Sequence, residues 1–231
     1  MKRPELLIIG ATFLLVIGGF FVGKQLYEKH KAQKASQAVA ENRKRLAPDY
    51  APQFGSLTPK VQLVEFLDPE CESCRAFYPE VKKMMKEFDG EIQLVIRYAA
   101  FHPHSRLAIK ILEASRKQER YLEVLETLFK FQPQWGSHHD PRPELLWTSL
   151  QEARVDVERI RVDILDEQIG KNLEQDLSDA RDLMITATPT FFVNGRLLEV
   201  FSAEALRSLI REELSKISEN SSEGKSNTGG G

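Results

Sequence analysis

The segment Phe66–Glu80 reads FLDPECESCRAFYPE and holds both cysteines of the chain, Cys71 and Cys74. A Cys-x-x-Cys pair admits three readings: a redox centre, half of a metal site, or a static disulfide. A static bridge of this spacing closes too short a loop to restrain the unfolded chain much. A zinc ribbon needs a second ligand pair, and no further cysteine is present to supply it. The flanks of the segment therefore carry the decision.

Upstream, VQLVEFL (61–67) is a short apolar run rich in strand-forming residues and predicts a buried strand. From Cys71 to Phe88 the apolar residues Phe77, Val81, Met84, Met85 and Phe88 recur at helical spacing. Pro79 predicts a kink in that helix, and Asp89-Gly90 its end. IQLVIRYAAF (92–101) is a second strand, so the unit is β-α-β with parallel strands and a right-handed crossover. Residues 105–184 carry helical periodicity, with breaks expected near Pro133, Gly136, Pro141–Pro143 and Gly170. TPTFFVNGRLLEVF (188–201) predicts a hairpin turning at Asn194-Gly195. SAEALRSLIREELSKI (202–217) predicts a last helix capped by Ser202.

Strand, Cys-x-x-Cys helix, strand, long helical block, hairpin and helix, taken in that order, resemble the thioredoxin-fold thiol:disulfide oxidoreductases. The similarity is greatest to their DsbA-like branch, which carries a helical insertion, and covers about residues 60–216. The expected fold is therefore α/β: a thioredoxin fold with an insertion at about 105–184, between the second strand and a cis-proline hairpin.

The resemblance assigns roles. Cys71, at a helix start, is the nucleophile, where exposed N–H groups and the helix dipole stabilise a thiolate. Cys74, one turn in, resolves the mixed disulfide. Glu65, a carboxylate inside an apolar strand, matches a buried acid that acts as general acid/base for Cys74; the competing reading is a strand residue facing a solvent-filled gap. Thr188-Pro189 matches the cis-proline loop, whose Thr188 backbone pairs with an extended substrate peptide. A threonine at 188 resembles the isomerase-type members. The aromatic block Tyr121, Leu125, Phe129, Trp135 and Trp147 reads as core, and LFKFQPQW, though similar to the matching stretch of the family, offers no catalytic candidate.

The central pair Glu72-Ser73 departs from the Pro-His type pair of strong oxidases. Asp68, Glu70 and Glu72 surround Cys71 with negative charge. A helix N-terminus contributes about 0.3–1 kcal/mol to an anion, and each exposed carboxylate at about 7 Å opposes it by on the order of 0.6 kcal/mol. The expectation is a Cys71 pKa only modestly below that of free cysteine. Glu72, Ser73 and His102 are candidate modulators. His102 and His104 follow the second strand, on the edge that carries the cysteines. They open an alternative function, a copper(I)- or zinc-binding metallochaperone using Cys71, Cys74 and His102 or His104. His138-His139 reads as a surface loop.

The 231 residues suit one domain with appendages; 42% are hydrophobic, 29% charged, and the net charge of −2 asks for no nucleic acid. Leu6–Gly23, LLIIGATFLLVIGGFFVG, is uncharged and spans about 27 Å as a helix, the thickness of a bilayer core. The small-residue triplet Ala38-Val39-Ala40 lies too far downstream for signal cleavage, so residues 1–23 are expected to be an uncleaved, single-pass signal-anchor. Residues 24–56 read as polar stalk and linker, 57–217 as the folded domain and 218–231 as a disordered tail. The chemistry orients the anchor: the domain faces the periplasm or an equivalent oxidising space. Protein thiols and disulfides are the expected substrates, a membrane or soluble partner resets the cysteines, and no cofactor beyond the Cys71–Cys74 disulfide is implied. Oxidase is favoured over reductase and isomerase; isomerase ranks below oxidase because no dimerisation module is visible beyond the short segment 24–56.

Overall fold

A computed structural model describes residues 44–226, with side chains to Glu219. The expected anchor, residues 1–23, and most of the stalk lie outside the described residues. Among the described residues no helix is long and apolar enough to cross a membrane. The folded unit starts at Leu46.

The β-α-β unit forms as predicted. β2 (Val61–Leu67) and β3 (Ile92–Tyr98) pair in parallel, Val61 opposite Ile92 and Leu67 opposite Tyr98, and α1 (Glu72–Glu87) crosses between them. Both strands are buried on both faces, which is why they read as continuous apolar runs rather than alternating ones. β4 (Thr190–Val193) runs antiparallel along the other side of β2, and β5 (Arg196–Leu197) closes the hairpin. Its turn is Asn194-Gly195, both at positive φ (49° and 84°), the geometry that a two-residue type I′ turn requires.

A fifth strand corrects the sequence reading. β1 (Gln53–Gly55) pairs antiparallel with β3, giving the order β1-β3-β2-β4-β5. Leu46 and Ala51 are buried, so the domain begins upstream of residue 57 and the stalk is shorter than expected. A β-carbon on residue 55 would meet the Ile92 carbonyl oxygen at 2.7 Å; only glycine lets the strand approach.

Side chains alternate across the sheet. Val61, Leu63 and Leu67 enter the larger core, formed with α1 and the inserted helices. Val64 and Phe66 enter a smaller core on the other face, with Leu46, Val95 and Phe192. Glu65 shares the parity of Leu63 and Leu67 and so points into the larger core, towards the cysteines. Arg97, on the neighbouring strand opposite Phe66, lies on the other face. It is buried among Asp176, Asp179 and Tyr50, with Nε 3.0 Å from Asp176 and Nη2 2.6 Å from Asp179.

The insertion is helical, and the break expected at Gly136 and Pro141–Pro143 is present, between helices ending at Trp135 and starting at Leu145. It comprises α2 (Ser105–Arg116), α3 (Tyr121–Trp135), α4 (Leu145–Ser149) with a following 3-10 turn, α5 (Val157–Asp163) and α6 (Glu167–Asp182). α1 continues through Pro79, α3 through Pro133 and α6 through Gly170. The real stops include Glu119, Arg154 and Met184, all in the left-handed conformation without being glycine. At Glu119 and Met184 the next residue's N–H reaches back five residues, Arg120 to Ser115 and Ile185 to Ala180, in a Schellman pattern. α7 (Ala203–Ser226) starts at Ser202, whose hydroxyl accepts from the Ala205 N–H. It runs beyond 217, to Ser226, into the segment expected to be disordered, because extending a formed helix is cheap.

Candidate active site

Cys71 is the N-cap of α1, the residue where the chain turns from extended (φ −74°, ψ 122°) to helical. It is 8% exposed, and its Sγ lies 3.3 Å from the carbonyl oxygen of Thr188, which precedes a cis peptide bond to Pro189. The structure thus brings Cys71, Cys74, Thr188 and Pro189 together, as the family resemblance implied. Cys74, one turn on, is fully buried.

Environment separates the two thiols. The Cys71 pKa is lowered to about 5, first by the hydrogen bond from the Cys74 thiol, and against the opposing effect of burial. A side-chain bond from Thr188 and the N–H groups of Cys74 and Ser73 add to the lowering. The Thr188 carbonyl, an acceptor, favours the thiol form, but the donors outnumber it. Cys74 is pushed well above its usual range, by burial first, then by its bond to Cys71 and the charge of Glu65. At neutral pH a pKa of about 5 favours the Cys71 thiolate, while Cys74 keeps its proton.

This overturns the expectation of a Cys71 only slightly acidified. Asp68 and Glu70 do not point at the sulfur; both are buried in a network of their own. Asp68 Oδ1 accepts from the Glu70 N–H (2.9 Å) and the Ser105 hydroxyl (2.5 Å). Its Oδ2 accepts from the Phe101 N–H (2.9 Å) and meets His102 Nδ1 at 2.7 Å. Glu70 Oε2 accepts from the His104 N–H at 2.7 Å. Glu72 alone of the acids is exposed, beside exposed Ser73.

Glu65 has the buried position expected of it rather than a solvent-filled gap. It is 1% exposed, and neither carboxyl oxygen has a partner among the described residues. Burial raises its pKa to about 8, with the Cys71 charge adding to the effect. A carboxyl at that pKa holds and releases a proton near neutrality.

His102 and His104 do reach this edge. Among the described residues no group of three or more His, Cys, Asp or Glu side chains is placed to hold a metal ion. Asp68 engages the His102 ring, and the His104 N–H donates to Glu70 at the start of α2.

Three features escaped the sequence reading. Gln132, inside LFKFQPQW, donates from Nε2 to the carbonyls of Pro69 (2.8 Å) and Cys71 (3.0 Å), fastening the cysteine turn to α3. A polar residue on the buried stripe Leu125, Leu128, Phe129, Trp135 was its available signal. Ser105 joins the Asp68 and Glu70 carboxylates. Finally, a cleft of about 380 Å³ beside the cysteines is lined by Ser73, Thr188, Pro189, Leu197 and Phe201. The large apolar side chains Met184, Leu197, Val200 and Phe201 stand exposed around that face.

Comparison with known proteins agrees with this geometry. The family model described as thioredoxin matches residues 48–212. The probable disulfide bond formation protein D of Bacillus cereus is 26% identical over 232 residues, covering 94% of this chain and 100% of that protein. The crystal structure of oxidised BdbD from Bacillus subtilis superposes with a TM-score of 0.63 at 26% identity, over 72% of this chain and 94% of that one. The Na(+)/H(+) antiporter NhaA of Herminiimonas arsenicoxydans is 29% identical over 174 residues, and the chain spans only 27% of that protein's length. With the family match extending over most of its folded residues, the chain belongs to the thioredoxin family.

Proposed function

We propose that the chain is a protein-disulfide oxidoreductase working through the Cys71-Glu-Ser-Cys74 centre as a disulfide donor. The observation that carries the reading is the divergence of the two thiols: Cys71 acidified at a helix N-terminus against the Thr188 carbonyl, Cys74 buried and protonated. A stabilised Cys71 thiolate makes the reduced form favourable, so the oxidised form gives its disulfide away. The relatives named for disulfide bond formation support the same direction.

In the donating cycle, a substrate thiolate attacks Cys71 of the Cys71–Cys74 disulfide. The bond between the cysteines breaks, a bond from substrate to Cys71 forms, and Cys74 leaves as a thiolate. Protonated Glu65 supplies the proton that Cys74 takes up. A second substrate thiolate then attacks the substrate sulfur of the mixed disulfide. The substrate disulfide forms and Cys71 leaves as a thiolate, a good leaving group at a pKa of about 5. Two electrons have passed to the cysteine pair, and a redox partner removes them. Substrate polypeptides pair with the Thr188 backbone as an added strand, their apolar side chains seated in the cleft by Leu197 and Phe201. The site of action is extracytoplasmic, with the apolar segment 6–23 as a single-pass anchor.

The test is a trapping experiment on the full-length chain. Reduced Cys74→Ser should accumulate a mixed disulfide through Cys71 with an unfolded protein that carries a disulfide, whose second sulfur leaves as a thiol, and Cys71→Ser should not. Equal trapping by both variants contradicts the assignment of roles.

A further inference from the structure

The acidic residues around the cysteines hold a histidine in place. Asp68 links two segments: its backbone carbonyl accepts from the Cys71 N–H at 3.0 Å, and its N–H faces Cys74 Sγ at 3.5 Å. The same residue's carboxylate takes the Phe101 N–H and His102 Nδ1. His102 is thereby fixed to the turn that carries the nucleophile, although it comes from the far end of β3. Its side chain is one quarter exposed, so it stays at the mouth of the site rather than in the core.

We propose that His102, oriented by Asp68, is the cationic partner of the Cys71 thiolate, so that an Asp68–His102–Cys71 row of alternating charge makes this Glu-Ser centre a good disulfide donor. The proposal rests on the oxidoreductase reading for its consequence, but the charge row itself is measured without turnover. Burial disfavours the imidazolium, yet the Asp68 hydrogen bond and the charges of Asp68, Cys71 and Glu70 outweigh it and raise the His102 pKa. The groups around the ring are Asp68 and Glu70 from the turn before α1, Cys71 from its N-cap, His104 on its own loop and His138 from the loop after α3, at 5.9 Å between ring centroids. Asp68 acts through His102 and is a positioning residue; its fully buried carboxylate makes it a poor choice for substitution.

Coupling between the two charges is reciprocal. Reduction of the disulfide creates the Cys71 anion and so favours the imidazolium; oxidation removes the anion. Two measurements on the full-length chain follow. The first titrates the imidazole signals by NMR in both redox states, with His102 assigned by its loss in His102→Asn. The expected His102 pKa is higher in the reduced form. The second follows thiolate absorbance against pH in the wild type and His102→Asn. The expected acid constant of Cys71 falls about three- to tenfold in the variant, and the exchange equilibrium shifts in the same sense. A His102 that titrates alike in both states, with superimposable Cys71 curves, overturns the proposal. Failure of the oxidoreductase reading looks different: the wild type does not oxidise a dithiol peptide, whatever the titrations show.

Discussion

Replacing Glu65 by glutamine should make the protein more stable, and increasingly so as the pH rises. The folded chain holds Glu65 at a pKa of about 8, against an ordinary value of 4.5. A raised folded pKa contributes stability that is complete below pH 4.5 and is lost as the pH climbs through 8. At 1.36 kcal/mol per pKa unit, the wild type gives up about 3 kcal/mol by pH 7 and about 5 kcal/mol above pH 8 from this group alone. Glutamine has nearly the same shape and no charge to bury. Both Glu65 oxygens already lack partners, so the variant sacrifices no hydrogen bond among the described residues. Near pH 4.5 the two proteins should agree within about 1 kcal/mol. The assay is urea unfolding of the reduced full-length chain at several pH values from 4.5 to 9, followed by tryptophan fluorescence. Taking the difference between variant and wild type cancels most other titrating groups. A difference that stays flat across this range would refute the reasoning, because it would mean Glu65 ionises as freely in the fold as out of it.

Two further substitutions test the supports of the site. Arg97→Met leaves Asp176 and Asp179 facing a buried apolar chain, and should cost about 3–5 kcal/mol in the same unfolding assay at pH 7. Gln132→Leu removes both donors to the Pro69 and Cys71 carbonyls; a loss of about 1–3 kcal/mol is expected, together with faster amide hydrogen exchange at the cysteine turn.

What the sequence showed and what it hid follow from the range of the forces involved. The β-α-β unit was legible because Val61–Leu67, Ile92–Tyr98 and the helical row of Val81, Met84 and Phe88 write their burial into local spacing, while Phe77 and Met85 of that row are only half-buried and the buried Tyr78 was not read. Asn194-Gly195 and Ser202 were legible because turns and caps depend on the residue itself. The helix stops at Glu119, Arg154 and Met184 were not, since the surrounding packing holds ordinary residues in a left-handed conformation that their type disfavours. β1 was hidden because three residues carry too little pattern, and β3 defines the strand by pairing with it. In the site, the Cys-x-x-Cys spacing, the acid in a strand and Thr188-Pro189 stood out. The acidity of Cys71 did not: Asp68 and Glu70 looked like opposing charge until their partners Ser105 and His102, more than thirty residues away, turned them aside.

The reduction potential of the Cys71–Cys74 pair tests the central claim most directly. The full-length chain is equilibrated in glutathione buffers of stepped ratio, and its free thiols are trapped and counted. An acidified Cys71 beside a protonated Cys74 predicts a potential of about −120 to −180 mV, the range of proteins that give disulfides away. A value near about −270 mV, the thioredoxin range, would contradict the account: the pair would then be held reduced, and the stabilised thiolate would not be setting the direction of exchange.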